Sequence, residues 1–154
     1  MGGQTLIMGL GNPVLTDDGV GIHVVERLRC EGAPEGARLE LAGTCGLGLL
    51  EIVAGYERLV LVDAIDAGRR PGTVLTLGLE ELDTLSPAHA ASSHEVDLPT
   101  ALELGRKLGL PMPGEVRIVA IQIADVSTFS ETCTQAVRDA IAEACEVVRR
   151  ICGV

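Results

Sequence analysis

The residues best placed to do chemistry in this sequence are acidic, and they follow apolar runs. Asp17 and Asp18 come just after Leu6-Ile7-Met8-Gly9-Leu10, in the loop GLGNPVLTDDG of residues 9–19. Asp63 stands directly behind Leu59-Val60-Leu61-Val62, and Asp66 follows it. A carboxylate at the end of a buried strand is costly unless something answers its charge. A backbone amide, a helix N-terminus or a metal cation would do so. Two histidines, His89 and His94, lie in or beside the small, polar stretch 86–93. Two carboxylates and one imidazole make a three-ligand site with an open position. Such a site suits zinc, nickel or another divalent first-row metal, for catalysis or for metal sensing.

Each of these residues also has a plainer role open to it. Asp17 and Asp18 are good helix N-caps. Asp63 alone reads as a hydrogen-bonding strand end, and His94 alone as an exposed loop histidine. His23 falls inside the first helix, off its apolar stripe, and reads as a surface residue. The glycine loop invites a nucleotide reading, because Gly9-Leu10-Gly11 opens like GxGxxG. Val14 occupies the third glycine position, however, and no acid follows the second strand where a ribose would need one. No lysine follows the glycines, so the phosphate-cradling P-loop is absent too. Ser92 and Ser93 lie beside His94, but without the strand–GxSxG–helix setting of a serine nucleophile.

The remainder of the chain reads as the scaffold for these groups. Residues 5–10 form an apolar run suited to a strand covered on both faces. A helix capped by Asp17 or Asp18 runs to about residue 30, with Val20, Val24, Val25 and Leu28 on one stripe. A short strand at 38–41, a short helix at 47–54 and a buried strand at 58–64 follow. Residues 73–79 form a further strand and 86–93 a mobile loop. A helix spans 98–108, with Pro99 in its first turn. The last strand is 116–123, and a long closing helix covers 132–151. Strands alternating with helices predict one α/β domain over residues 1–154. It is a three-layer sandwich: a mostly parallel, twisted sheet of about five strands with helices on both faces. Such sheets bind ligands at the carboxyl ends of their strands, where these acids fall.

Composition narrows the function. At 154 residues the chain suits one compact domain. It has one Phe, one Tyr and no Trp, so its core is aliphatic and it lacks base-stacking platforms. A net charge of −10 repels phosphate backbones. Both facts argue against nucleic acid as a partner. None of the five cysteines forms a CxxC pair, which argues against a zinc ribbon or a thioredoxin-like centre. They read as reduced thiols packed like small hydrophobes, with Cys145 and Cys152 on one helix face. No signal peptide or membrane-length apolar run is present, so the expectation is a cytoplasmic protein away from the membrane.

The motifs also resemble a known family. Residues 9–21, GLGNPVLTDDGVG, are similar to the opening loop of the nickel–iron hydrogenase maturation endopeptidases. Gly43-Thr44-Cys45-Gly46-Leu47 with Leu49-Leu50 resembles their second loop and helix. Val62-Asp63-Ala64, then Gly68 and Pro71-Gly72-Thr73-Val74, resembles their third block. Ser93-His94 with Leu98 and Leu102 resembles their histidine segment. The order and spacing hold over nearly the whole chain.

The resemblance implies an aspartic-type endopeptidase that removes the C-terminal extension of a hydrogenase large-subunit precursor after nickel insertion. It implies Asp18, Asp63 and His94 as the ligand set and catalytic group, choosing His94 over His89. The nickel would be supplied by the precursor, with no tightly bound organic cofactor and a monomeric enzyme. Either a carboxylate activates water or nickel polarises the scissile carbonyl. Two alternatives use the same ligands: a nickel-checking chaperone without peptidase activity, and a related metal-dependent peptidase acting on small peptides.

Overall fold

The computed structural model describes residues 4–43, 48–81 and 98–153. Five strands form one sheet: β1 (Thr5–Leu10), β2 (Ala37–Ala42), β3 (Arg58–Ile65), β4 (Val74–Gly78) and β5 (Glu115–Gln122). Their order is β2-β1-β3-β5-β4. Neighbours are parallel except β4, which runs antiparallel to β5 at the edge. The helices are α1 (Val20–Glu31), α2 (Leu49–Val53), α3 (Leu98–Lys107) and α4 (Gln135–Ile151). The expected sandwich is therefore present, with helices on both faces of a mostly parallel sheet.

Side chains alternate across each strand, so the sheet serves two cores. Ile7, Val60, Val62, Val119 and Ile121 point to the face covered by α1 and α4, against Val24, Leu28, Val137 and Val148. Leu6, Met8, Leu59, Leu61 and Ile118 point to the other face, against Leu49, Val53, Leu98 and Leu102 of α2 and α3. Burial on both sides explains why β1 and β3 read as unbroken apolar runs. The half-buried strand β2 lies at the edge of the sheet.

Chain direction fixes where a site can open. From β1 the chain crosses to β2 on one side; from β2 it returns to β3 on the other side of β1. This reversal is a topological switch point, and the crevice lies outside the carboxyl ends of β1 and β3. Helix α1 reaches that crevice by unusually close packing. A Cβ on Gly21 would lie 2.2 Å from the Val62 carbonyl oxygen and 2.7 Å from that of Leu10. Only glycine lets the start of α1 sit so near the residue that precedes Asp63.

Among the described residues no helix is long and apolar enough to cross a membrane. Cys133 and Cys145 are buried, Cys152 is half-buried and Cys30 is exposed, all with free thiols. The small-hydrophobe reading thus holds for Cys133 and Cys145 and fails for Cys30. Cys45 and the loop expected at 86–93 fall outside the described residues.

Candidate functional site

The loop after β1 builds one half of the site. Gly11 takes a φ of +143°, and a Cβ there would lie 2.0 Å from the Asp18 carbonyl oxygen. The chain thus folds back on itself, and residues Thr16–Gly19 close a 3₁₀ turn leading into α1. Asp18 is buried, 1% exposed. The Asn12 backbone N–H donates to its Oδ2 at 2.9 Å. Its Oδ1 is also buried, and among the described residues no hydrogen-bond donor reaches it. A carboxylate oxygen sealed from solvent without a donor is expensive, and a cation is the usual remedy.

The second half comes from β3. Asp63 lies in strand β3 as Asp, not past its end: two further residues, Ala64 and Ile65, pair with β5. The Ala64 N–H donates to Asp63 Oδ1 at 2.8 Å. The residue is partly exposed in surface terms, but its carboxyl is packed among protein atoms. That burial raises its pKa well above the usual carboxylate range, the Ala64 N–H partly opposes the rise, and the negative charge of Asp18 adds to it. The two carboxyl groups therefore feel each other across the switch-point crevice. A pair like this holds oxygen donors for a divalent cation, or can hold and pass a proton.

The neighbouring acids have other work. Asp17 was expected to cap its own helix. It makes no side-chain cap there; instead it holds Thr134, the N-cap residue of α4, at the far end of the chain. Its carboxylate accepts from the backbone N–H groups of Ala124, Asp125 and Thr134 at 2.8, 2.9 and 2.7 Å, and from the Thr134 hydroxyl. The expected cap is therefore not made: Asp17 is bound to a residue 117 positions away, which local sequence does not reveal. Asp18 makes no side-chain cap either. Asp66 accepts from the Gln122 amide.

Gln122 was not singled out from the sequence. It is 3% exposed at the end of β5, and its Oε1 accepts the N–H groups of Ala67 and Arg69, fixing the turn after β3. A glutamine closing an otherwise apolar strand was the available signal. His23 is not the surface residue expected: it is half-buried, and its Nε2 is buried without a partner. His94 and His89 lie outside the described residues. Among the described residues, no group of three or more His, Cys, Asp or Glu side chains gathers closely enough to hold a metal ion.

The chain matches the structure of the hydrogenase maturating endopeptidase HybD from Escherichia coli with a TM-score of 0.80 and 29% identity, over 94% of this chain and 89% of that one. A hydrogenase maturation protease HybD from Thermococcus kodakarensis has the same fold, with a TM-score of 0.75, 24% identity, and 97% and 99% of the two chains covered. A family model described as hydrogenase maturation protease matches residues 22–151. The chain belongs to that family, and its enzyme class is hydrolase, endopeptidase.

Two relatives mark its place there. The hydrogenase 2 maturation protease of Escherichia coli K12 is 31% identical over 120 residues, covering 77% of this chain and 72% of the relative. The hydrogenase expression/formation protein HupM of Azotobacter chroococcum is 32% identical over 134 residues, covering 86% of this chain and 64% of the relative.

Proposed function

We propose that this protein removes the C-terminal extension of a nickel–iron hydrogenase large-subunit precursor after nickel insertion, and that it recognises the precursor's nickel through Asp18, Asp63 and His94. The observation that carries this reading is the buried, unpartnered Oδ1 of Asp18 beside an Asp63 carboxyl that burial holds toward its neutral form. Among the described residues Asp18 Oδ1 has no donor, and burial disfavours the charged form of Asp63 although Ala64 donates to it; a cation brought by the substrate answers both. Family membership supplies the substrate class, and the resemblance of Ser93-His94 to the family's histidine segment supplies the imidazole.

The residues then divide the work. Asp18 offers an anionic oxygen already stripped of water. Asp63 releases its proton when a cation approaches, since metal ligation requires the deprotonated form. The same carboxyl, once free, can accept a proton from water positioned at the scissile carbonyl. Coupling the site to the precursor's nickel makes complete metal insertion a condition for cutting, and the metal is cargo of the substrate, not a resident cofactor.

Asp18→Ala, Asp63→Ala and His94→Ala should each lower processing of nickel-loaded precursor by at least about 100-fold, an effect typical of removing a group that acts in the reaction. The large subunit is weighed by mass spectrometry over time, and circular dichroism checks that the fold persists. Wild-type rates in any one variant would remove that residue from the site. A stable complex between wild-type protein and precursor with no mass change would favour the chaperone reading instead.

A further inference from the structure

Three large apolar side chains are exposed among the described residues: Val14 at 41%, Leu108 at 65% and Phe129 at 82%. Two of them share one place. Leu15 and Ser130 pair as a parallel bridge, with the Ser130 N–H donating to the Val14 carbonyl at 2.9 Å and the Thr16 N–H donating to the Ser130 carbonyl at 3.0 Å. Val14 and Phe129 each precede a bridge partner, so these backbone bonds bring their two segments together. Val14 lies in the loop whose turn carries Asp18.

Phe129, the only phenylalanine of the chain, is held out on a rigid frame. The Thr16 hydroxyl donates to the Thr128 carbonyl just before it. The Asp125 carboxylate accepts from the N–H groups of Ser127 and Thr128 and from the Thr128 hydroxyl. Those bonds hold Asp125 ionised down to about pH 2. Asp17, fully buried, fastens both ends of the same loop through Ala124, Asp125 and Thr134. An aromatic ring fixed in water beside a reaction site is arranged for a partner. Residues 9–19 and 124–134 contain no lysine or arginine; of their acids Asp17 and Asp18 are buried, Asp125 is half-buried and Glu131 is exposed.

We infer that Phe129 and Val14 form the anchor that seats an apolar segment of the hydrogenase precursor beside the Asp18 turn. The assignment rests on the proposed function, and it adds the surface that binds the substrate apart from the groups that cut it. Continuity with the Asp18 turn favours this partner, and the chain's net charge of −10 disfavours a second copy, which would bring like charge against like.

The test is the concentration dependence of processing of nickel-loaded precursor, followed by mass spectrometry. Phe129→Ser should raise KM by at least about tenfold, the loss expected for one large apolar contact, with kcat within about twofold of wild type. Phe129→Leu should recover most of the loss. Leu108→Ser should leave KM unchanged, because Leu108 follows α3 at the opposite end of the sheet, where β5 begins. Unchanged KM in Phe129→Ser, or a collapse of kcat alone, overturns the anchor. Isothermal titration of precursor into wild type and Phe129→Ser separates this claim from the proposed function. Binding that weakens in the variant, without cutting by either protein, sinks the protease reading and keeps the anchor; no binding by wild type overturns both. A wild-type dimer in sedimentation that Phe129→Ser dissociates would make the face a self-contact and overturn the inference.

Discussion

Asp63 is a residue whose charged form folding opposes. Burial, with Asp18 nearby, raises its folded-state pKa well above the usual carboxylate value. Between the ordinary value and the raised one, the folded chain binds more protons than the unfolded chain, so stability falls as pH rises through that window. Below it both states are protonated and nothing is lost. Asp63→Asn removes the titration. In urea titrations without metal, the variant should equal wild type near pH 3.5 and exceed it increasingly as pH rises; parallel curves at every pH would contradict this. Such a site stores instability that a ligand relieves, a common trade between activity and stability. The sequence disclosed part of this. Asp63 after four apolar residues announced a buried charge, while Asp17 and Asp18 looked interchangeable. Their difference is tertiary: Asp17 meets five donor contacts from residues 124–134, and Asp18 keeps one oxygen bare among the described residues.

At the scale of elements, the seat of α1 decides whether the two carboxyls meet. Gly21 lets the helix rest on the Leu10 and Val62 carbonyls, and the helix carries the Asp18 turn with it. Gly21→Ala should cost about 2–4 kcal/mol, since the clash is with backbone that cannot move aside. For a chain of this size each kcal/mol lowers Tm by about 2–4 °C. Calorimetry reads the shift, and processing should fall with it because Asp18 moves relative to Asp63. An unchanged Tm would mean that the close approach has no structural weight. Most of the elements were legible from apolar periodicity alone: β1 over residues 5–10 and β3 from residue 58 emerged within a residue of their bounds, because double burial writes itself as unbroken apolar runs. Two features were hidden. The edge strand β4 is antiparallel, which no local pattern signals. The loop 124–134 is ordered by Asp17 and Asp125, whose partners are revealed only by the packed chain.

For the whole molecule, three facts meet: a sheet whose switch point lies between β1 and β3, the interacting Asp18 and Asp63 carboxyl groups there, and membership of the hydrogenase maturation proteases. The expected substrate class came only through resemblance in motif, since charge and composition argued against nucleic acid without choosing a partner. The central claim is that cutting depends on nickel carried by the substrate. Purified large-subunit precursor, prepared with and without nickel, is incubated with the wild-type protein and weighed by mass spectrometry. The account predicts loss of a C-terminal peptide from the nickel-loaded form and an unchanged mass for the nickel-free form. Equal cutting of both forms would contradict it.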